Sequence, residues 1–104
     1  MERTQEEKMA VAEEIVKQLG GRRFILMTGA FDFLELDGGV LFKLPGGGGF
    51  TKRQIDRVEI ILEWNDTYRV MFKKGEGTIS EHEGIYNDQL QELFAEETGL
   101  DTHL

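Results

Sequence analysis

The chain has 104 residues, of which 39% are hydrophobic and 31% charged, and its formal charge is −8 at pH 7. That length makes one domain with a core of its own, while the acidity opposes sequence-independent attraction to nucleic acid or to an anionic membrane. With no cysteine there is no disulfide framework, no thiolate metal site and no Cys nucleophile.

Residues Met1–Glu7 are polar and acidic where a signal peptide has a basic start and an apolar run. No apolar run approaches the roughly 20 residues of a membrane span. Both observations point to a cytoplasmic protein without a membrane partner. Thr4-Gln5-Glu6-Glu7 reads as a capping box, followed by Met9, Ala12, Ile15, Val16 and Leu19 at helical spacing. Gly20-Gly21 supplies the stop, so a helix is predicted over residues 5–19.

Arg23–Thr28 is a short apolar run closed by Gly29 and reads as a strand. Phe31–Leu36 and Val40–Leu44 flank Asp37-Gly38-Gly39, a hairpin signal because Asp-Gly tolerates positive φ. From Val58 the residues alternate, with Ile60, Leu62 and Trp64 on one face against Glu59 and Glu63. After an Asn65-Asp66 turn, Tyr68, Val70 and Phe72 resume that face. Thr78–His82 fits an edge strand. Tyr86, Leu90, Leu93 and Phe94 then return to helical spacing, with Asp88, Glu92, Glu96 and Glu97 outside and Gly99 as the C-cap. The pattern predicts a single α+β domain over residues 1–104. It has an N-terminal helix, a curved antiparallel sheet of about four to six strands, and a C-terminal helix packed on the sheet. Trp64, Tyr68, Phe72, Tyr86 and Phe94 are expected in the core.

Charge is unevenly distributed. Thr78–Leu104 holds seven carboxylates and no Lys or Arg, whereas Val40–Lys74 holds seven Lys or Arg against four acids. Asp88, Glu92, Glu96 and Glu97 are the candidate partner-binding face, since carboxylates on one helix face can imitate a phosphate row; a solvated surface explains such a run as well. Lys52, Arg53, Arg57 and Lys73, with Lys43, Arg69 and Lys74 nearby, form the alternative nucleic-acid-binding set. Phe50 and Tyr68 would then be stacking surfaces, although the interleaved Asp56, Glu59 and Glu63 suit paired surface charges. Gly46-Gly47-Gly48-Gly49-Phe50-Thr51-Lys52 lacks the Lys-Ser/Thr order and the following helix of a phosphate loop, and reads as a connection between strands. No catalytic residue, metal site or cofactor site stands out. Two histidines without cysteine give no metal spacing, Ser80 and the threonines lie in no nucleophile elbow, and His103 is near the end of the chain.

Several phrases carry a resemblance together. They are Gly20-Gly21-Arg22-Arg23-Phe24, Met27-Thr28-Gly29-Ala30, Leu41-Phe42-Lys43-Leu44-Pro45, Val58-Glu59-Ile60, Asp66-Thr67-Tyr68, Glu83-Gly84-Ile85-Tyr86 and Glu97-Thr98-Gly99-Leu100. On these the chain resembles a family of small uncharacterised proteins encoded by bacteriophages, prophages and other mobile elements. It departs from the family in the acidic Phe31-Asp32-Phe33 and in the Gly-rich loop 46–49. The resemblance implies an accessory factor or an inhibitor of host defence, including anti-CRISPR-like proteins, and supplies no active site.

Three readings follow. The first is a non-enzymatic protein that binds a macromolecule stoichiometrically, its acidic helix face docking on a basic nucleic-acid channel of a host protein. The second is a single-strand nucleic-acid binder. The third is a homo-oligomeric structural protein joined through an exposed strand edge.

Overall fold

The computed structural model describes residues 4–45 and 51–100. Helix α1 spans Gln5–Leu19 as the capping signal predicts. The Glu7 amide donates to Thr4 Oγ1 at 3.2 Å, and that hydroxyl donates to the Glu7 carboxylate. The apolar stripe divides: Ala12, Ile15 and Leu19 enter the core, while Met9 and Val16 face a lateral groove.

Arg23–Thr28 is not a strand. Gly20 and Gly21 both take positive φ, at 130° and 63°, and the chain reverses at once into a second helix, α2, over Gly21–Thr28. Phe24 and Thr28, one helical turn apart, point inwards, and the Thr28 hydroxyl donates back to the Phe24 carbonyl at 2.8 Å. A short apolar run fits either period; here the 3.6-residue period wins because only those two positions need burial.

Five strands follow: β1 (Phe31–Leu36), β2 (Gly39–Lys43), β3 (Arg57–Leu62), β4 (Tyr68–Lys74) and β5 (Gly77–Ile85). They form one antiparallel meander in the order β1-β2-β3-β4-β5, leaving β1 and β5 as edges. The Asp37-Gly38 turn joins β1 to β2 with Gly38 at φ 84°. The β3–β4 turn is closed by Asn65, whose carboxamide oxygen accepts from the Thr67 hydroxyl at 2.7 Å. A bulge between Phe31 and Leu34, with Asp32 at φ 53°, bends the start of β1. A short 3-10 turn, Asn87–Gln89, leads into helix α3, Leu90–Thr98, capped by Gly99 in the left-handed conformation.

The helices lie on one face of the sheet and complete the α+β architecture. Val40, Phe42, Val58, Ile60, Val70 and Phe72 meet Ile15, Leu19, Phe24, Leu90 and Phe94 in one core. Phe24 is its keystone, edge-on to Phe42 at 5.6 Å and to Phe94 at 5.0 Å. Such pairs contribute about 0.5–1.5 kcal/mol each beyond area burial. Gln91 on α3 donates to the Leu19 carbonyl at 2.8 Å and ties the two ends of the chain together.

Candidate functional site

Helix α3 sets the acidic surface. Glu92 and Glu96 lie one turn apart on α3, about 6 Å along its axis, Asp88 precedes them by four residues in the 3-10 turn, and all three are exposed. None of the three side chains has an ion-pair partner among the described residues.

Glu97 departs from the sequence expectation. It follows Phe94 by three residues and Leu90 by seven, so it shares their inward stripe and faces β5. Its Oε1 accepts from Ser80 Oγ at 2.7 Å and Arg53 Nη2 at 3.0 Å, and lies 2.9 Å from His82 Nε2. A carboxylate only accepts, so His82 carries its proton on Nε2. The Ser80 hydrogen bond is the largest influence on Glu97, and with His82 and Arg53 it outweighs partial burial and lowers the pKa from 4.5 to about 2. Ser80 and His82 both turn towards the carboxylate and are not paired with each other, so the trio lacks the nucleophile–base contact of a hydrolase. Its role is to pin α3 to the sheet edge.

Two large aromatics overturn the core expectation. Trp64 is 93% exposed at the β3–β4 turn and Tyr86 is 60% exposed where β5 ends. Leu62 is the last residue of β3, so Trp64 falls in the turn, past the alternation it seemed to extend. Tyr86 has extended φ and ψ of −82° and 158°, ahead of the helical turn that would have aimed it inwards. Trp64 borders a cleft with Glu63, Asn65, Thr67, Glu83 and Gly84. Tyr86 follows directly and leads to Asp88. Both rings therefore border the stretch of chain that leads from the end of β5 to Asp88. Tyr68, Phe72 and Phe94 are buried as expected.

The basic residues are engaged within the molecule. Arg53 pairs with Glu97 at 3.0 Å, Arg57 with Asp56 at 3.6 Å and Lys73 with Glu59 at 3.1 Å. Lys52 donates to the Glu96 carbonyl at 3.0 Å. Lys43 and Arg69 pair with Asp32 and Glu63, and Lys74 donates to Gln54. Lys43, Arg57 and Lys73 follow one another across neighbouring strands, but each also meets an acid. Tyr68 is buried, so it offers no stacking face. The Gly-rich stretch 46–49 with Phe50, and Asp101 and His103, lie outside the described residues.

A second feature was not visible in the sequence. A groove of about 400 Å³ runs between α1, α2 and the edge strand β1. Met9, Ala12, Val16, Ile25, Phe33 and Val40 give it an apolar lining, with charged groups at its rim.

Compared with known protein families, with curated proteins and with solved structures, the chain matches none. No helix among the described residues is long and apolar enough to cross a membrane.

Proposed function

We propose that this chain is a non-enzymatic accessory protein of a phage or other mobile element that acts by stoichiometric contact with a protein. In this reading the α3 face occupies the basic nucleic-acid channel of a host processing or defence protein, as an anti-CRISPR-like inhibitor. The observation that carries it is the presence of two kinds of exposed group. Asp88, Glu92 and Glu96 are exposed without ion-pair partners among the described residues, and Trp64 and Tyr86 stand exposed by the end of β5 that leads to Asp88. Regularly spaced carboxylates steer a basic partner. Exposed Trp and Tyr supply the apolar contact area on which affinity concentrates.

The nucleic-acid reading draws less support from the same structure. Arg53, Arg57 and Lys73 would each have to give up an acidic partner, and Lys52 its carbonyl, against a net charge of −8.

The test is capture of partners by the full chain from host lysate, with and without nuclease, set beside Glu92→Lys/Glu96→Lys. A nucleic-acid-processing protein retained after nuclease and lost with the double substitution is the expected result. Capture that disappears with nuclease, or that ignores the charge reversal, sinks the reading.

A further inference from the structure

Trp64 is the chain's one tryptophan, and its exposed ring is mounted on a turn that is tightly tied. The Glu63 amide donates to the Thr67 carbonyl at 2.8 Å, and the Asp66 amide donates to the Glu63 carbonyl at 3.1 Å. The Asn65 carboxamide oxygen accepts from the Thr67 amide at 3.3 Å as well as from its hydroxyl. A ring held on such a turn has only its own two torsions left to order when it is covered, so its contact area comes at a small entropic cost.

Beside the ring lies a cleft of about 440 Å³, whose other wall is Glu83-Gly84 of β5. The β4–β5 pairing shifts there: Tyr68 meets Ile85 and Val70 meets His82, so Glu83 and Gly84 together oppose Arg69. A bulge of this kind bends its strand and re-aims a side chain. Gly84 takes φ 67°, and a Cβ on it would meet nothing within 4 Å, so this wall is open to solvent. The cleft has the size of a ligand site, roughly 300–1,000 Å³, but such sites are mostly apolar. Here one aromatic ring stands among polar groups, which suits a charged ligand.

The sign of that charge follows from the neighbouring residues. Glu63 pairs with Arg69 at 3.3 Å, and the two offset each other. Glu83 in the cleft and Asp66 in the Trp64 turn are exposed and have no ion-pair partner among the described residues. An indole face and a free carboxylate favour the same ligand, a cation, the first through its quadrupole and the second through its charge. A guanidinium satisfies both at once: it is flat enough to stack on the ring while its N–H fork meets a carboxylate. An ammonium is a compact point charge and matches that pair of groups less well.

We propose that the Trp64 cleft is a binding site for an arginine side chain of a protein partner, stacked on the indole and paired with Glu83. This rests on the reading of the chain as a protein-binding module, and names the group that its exposed tryptophan takes.

Trp64 reports on its own site, because no other tryptophan contributes to the fluorescence. The full chain is titrated with acetyl-glycyl-arginyl-glycine amide, and with the same peptide carrying lysine in place of arginine, at constant ionic strength. A saturable change in fluorescence at about millimolar arginine peptide is expected, with the lysine peptide about threefold weaker or more. Glu83→Gln is expected to weaken the arginine peptide about threefold or more. Glu76→Gln, which removes one exposed charge from the β4–β5 turn, is expected to leave it unchanged. Circular dichroism confirms that both variants are folded. A response that does not saturate overturns the proposal. So does a lysine peptide bound as tightly as the arginine one, or equal weakening by Glu83→Gln and Glu76→Gln. The titration stands apart from the lysate capture: a cleft that fails it leaves the α3 reading intact, and capture that ignores Glu92→Lys/Glu96→Lys refutes that reading without touching the peptide result.

Discussion

Glu97 on α3 and His82 on β5 meet at 2.9 Å, and Ser80 and Arg53 converge on the same carboxylate oxygen. One acid thereby joins the last helix, the edge strand and the turn before β3. Its side chain is only 19% exposed, so these bonds are partly shielded from water.

Replacing that acid tests its structural role. Glu97→Gln removes the ion pair with Arg53 and the charge-assisted acceptance from Ser80 and His82, and is expected to cost about 1–3 kcal/mol in urea unfolding. Glu92→Gln, on the exposed face of the same helix, is the control, and its effect is expected within about 0.5 kcal/mol. Equal effects from the two would mean that the cluster contributes nothing.

The acid limb of stability follows from the lowered pKa. Glu97 titrates at about 2 in the folded chain against an ordinary 4.5, so the unfolded state takes up the proton first. The stabilisation is complete above pH 4.5 and is lost as pH falls through about 2. The gap in unfolding free energy between the parent chain and Glu97→Gln is therefore expected to narrow across that window. A gap constant with pH would contradict it.

Trp64→Ala separates binding from folding. With the ring 93% exposed, stability is expected to change by no more than about 0.5 kcal/mol, whereas affinity for a captured partner falls about tenfold or more. The buried Phe94→Ala is the opposite case, losing about 3–5 kcal/mol of stability. Full affinity after Trp64→Ala would remove the ring from the binding surface.

Gly39 is fixed by space. A Cβ there would collide with the Ile60 carbonyl oxygen and press on the Ile61 side chain across the β2–β3 pair. Gly39→Ala is expected to cost about 1–3 kcal/mol through overpacking, read as a lower thermal midpoint. An unchanged midpoint would show that the pair opens freely.

What could be read from the sequence was what repeats. The capping signal and apolar spacing place α1 at its observed bounds, and the alternation from Val58 to Phe72 places β3 and β4. Arg23–Thr28 forms a helix and not the expected strand because Phe24–Met27, apolar at every position, carries no period. The glycines before it end α1 and also allow an immediate second helix. Trp64 and Tyr86 failed for a related reason: each extends a pattern past the residue where the backbone changes direction. The inward turn of Glu97 was available in its spacing from Leu90 and Phe94, but an acid on an apolar stripe is recognised only once Ser80, His82 and Arg53 are seen around it. The groove had no signal, since it depends on how far α1 and α2 stand from β1.

The meander also orders events in time. Each strand pairs with the one made just before it, so the sheet can assemble stepwise as a nascent chain emerges, with short loops to close. Phe24, by contrast, is synthesised early and finds its 5.0 Å partner Phe94 only near the end. Until then α1 and α2 rest on an incomplete core, and Gln91 has yet to reach the Leu19 carbonyl. Ribosome-bound chains stalled before α3 are therefore expected to be cut readily by protease in α2. Chains extended past Gly99 and clear of the exit tunnel are expected to resist, and equal cleavage of both would show that the N-terminal helices lock without α3.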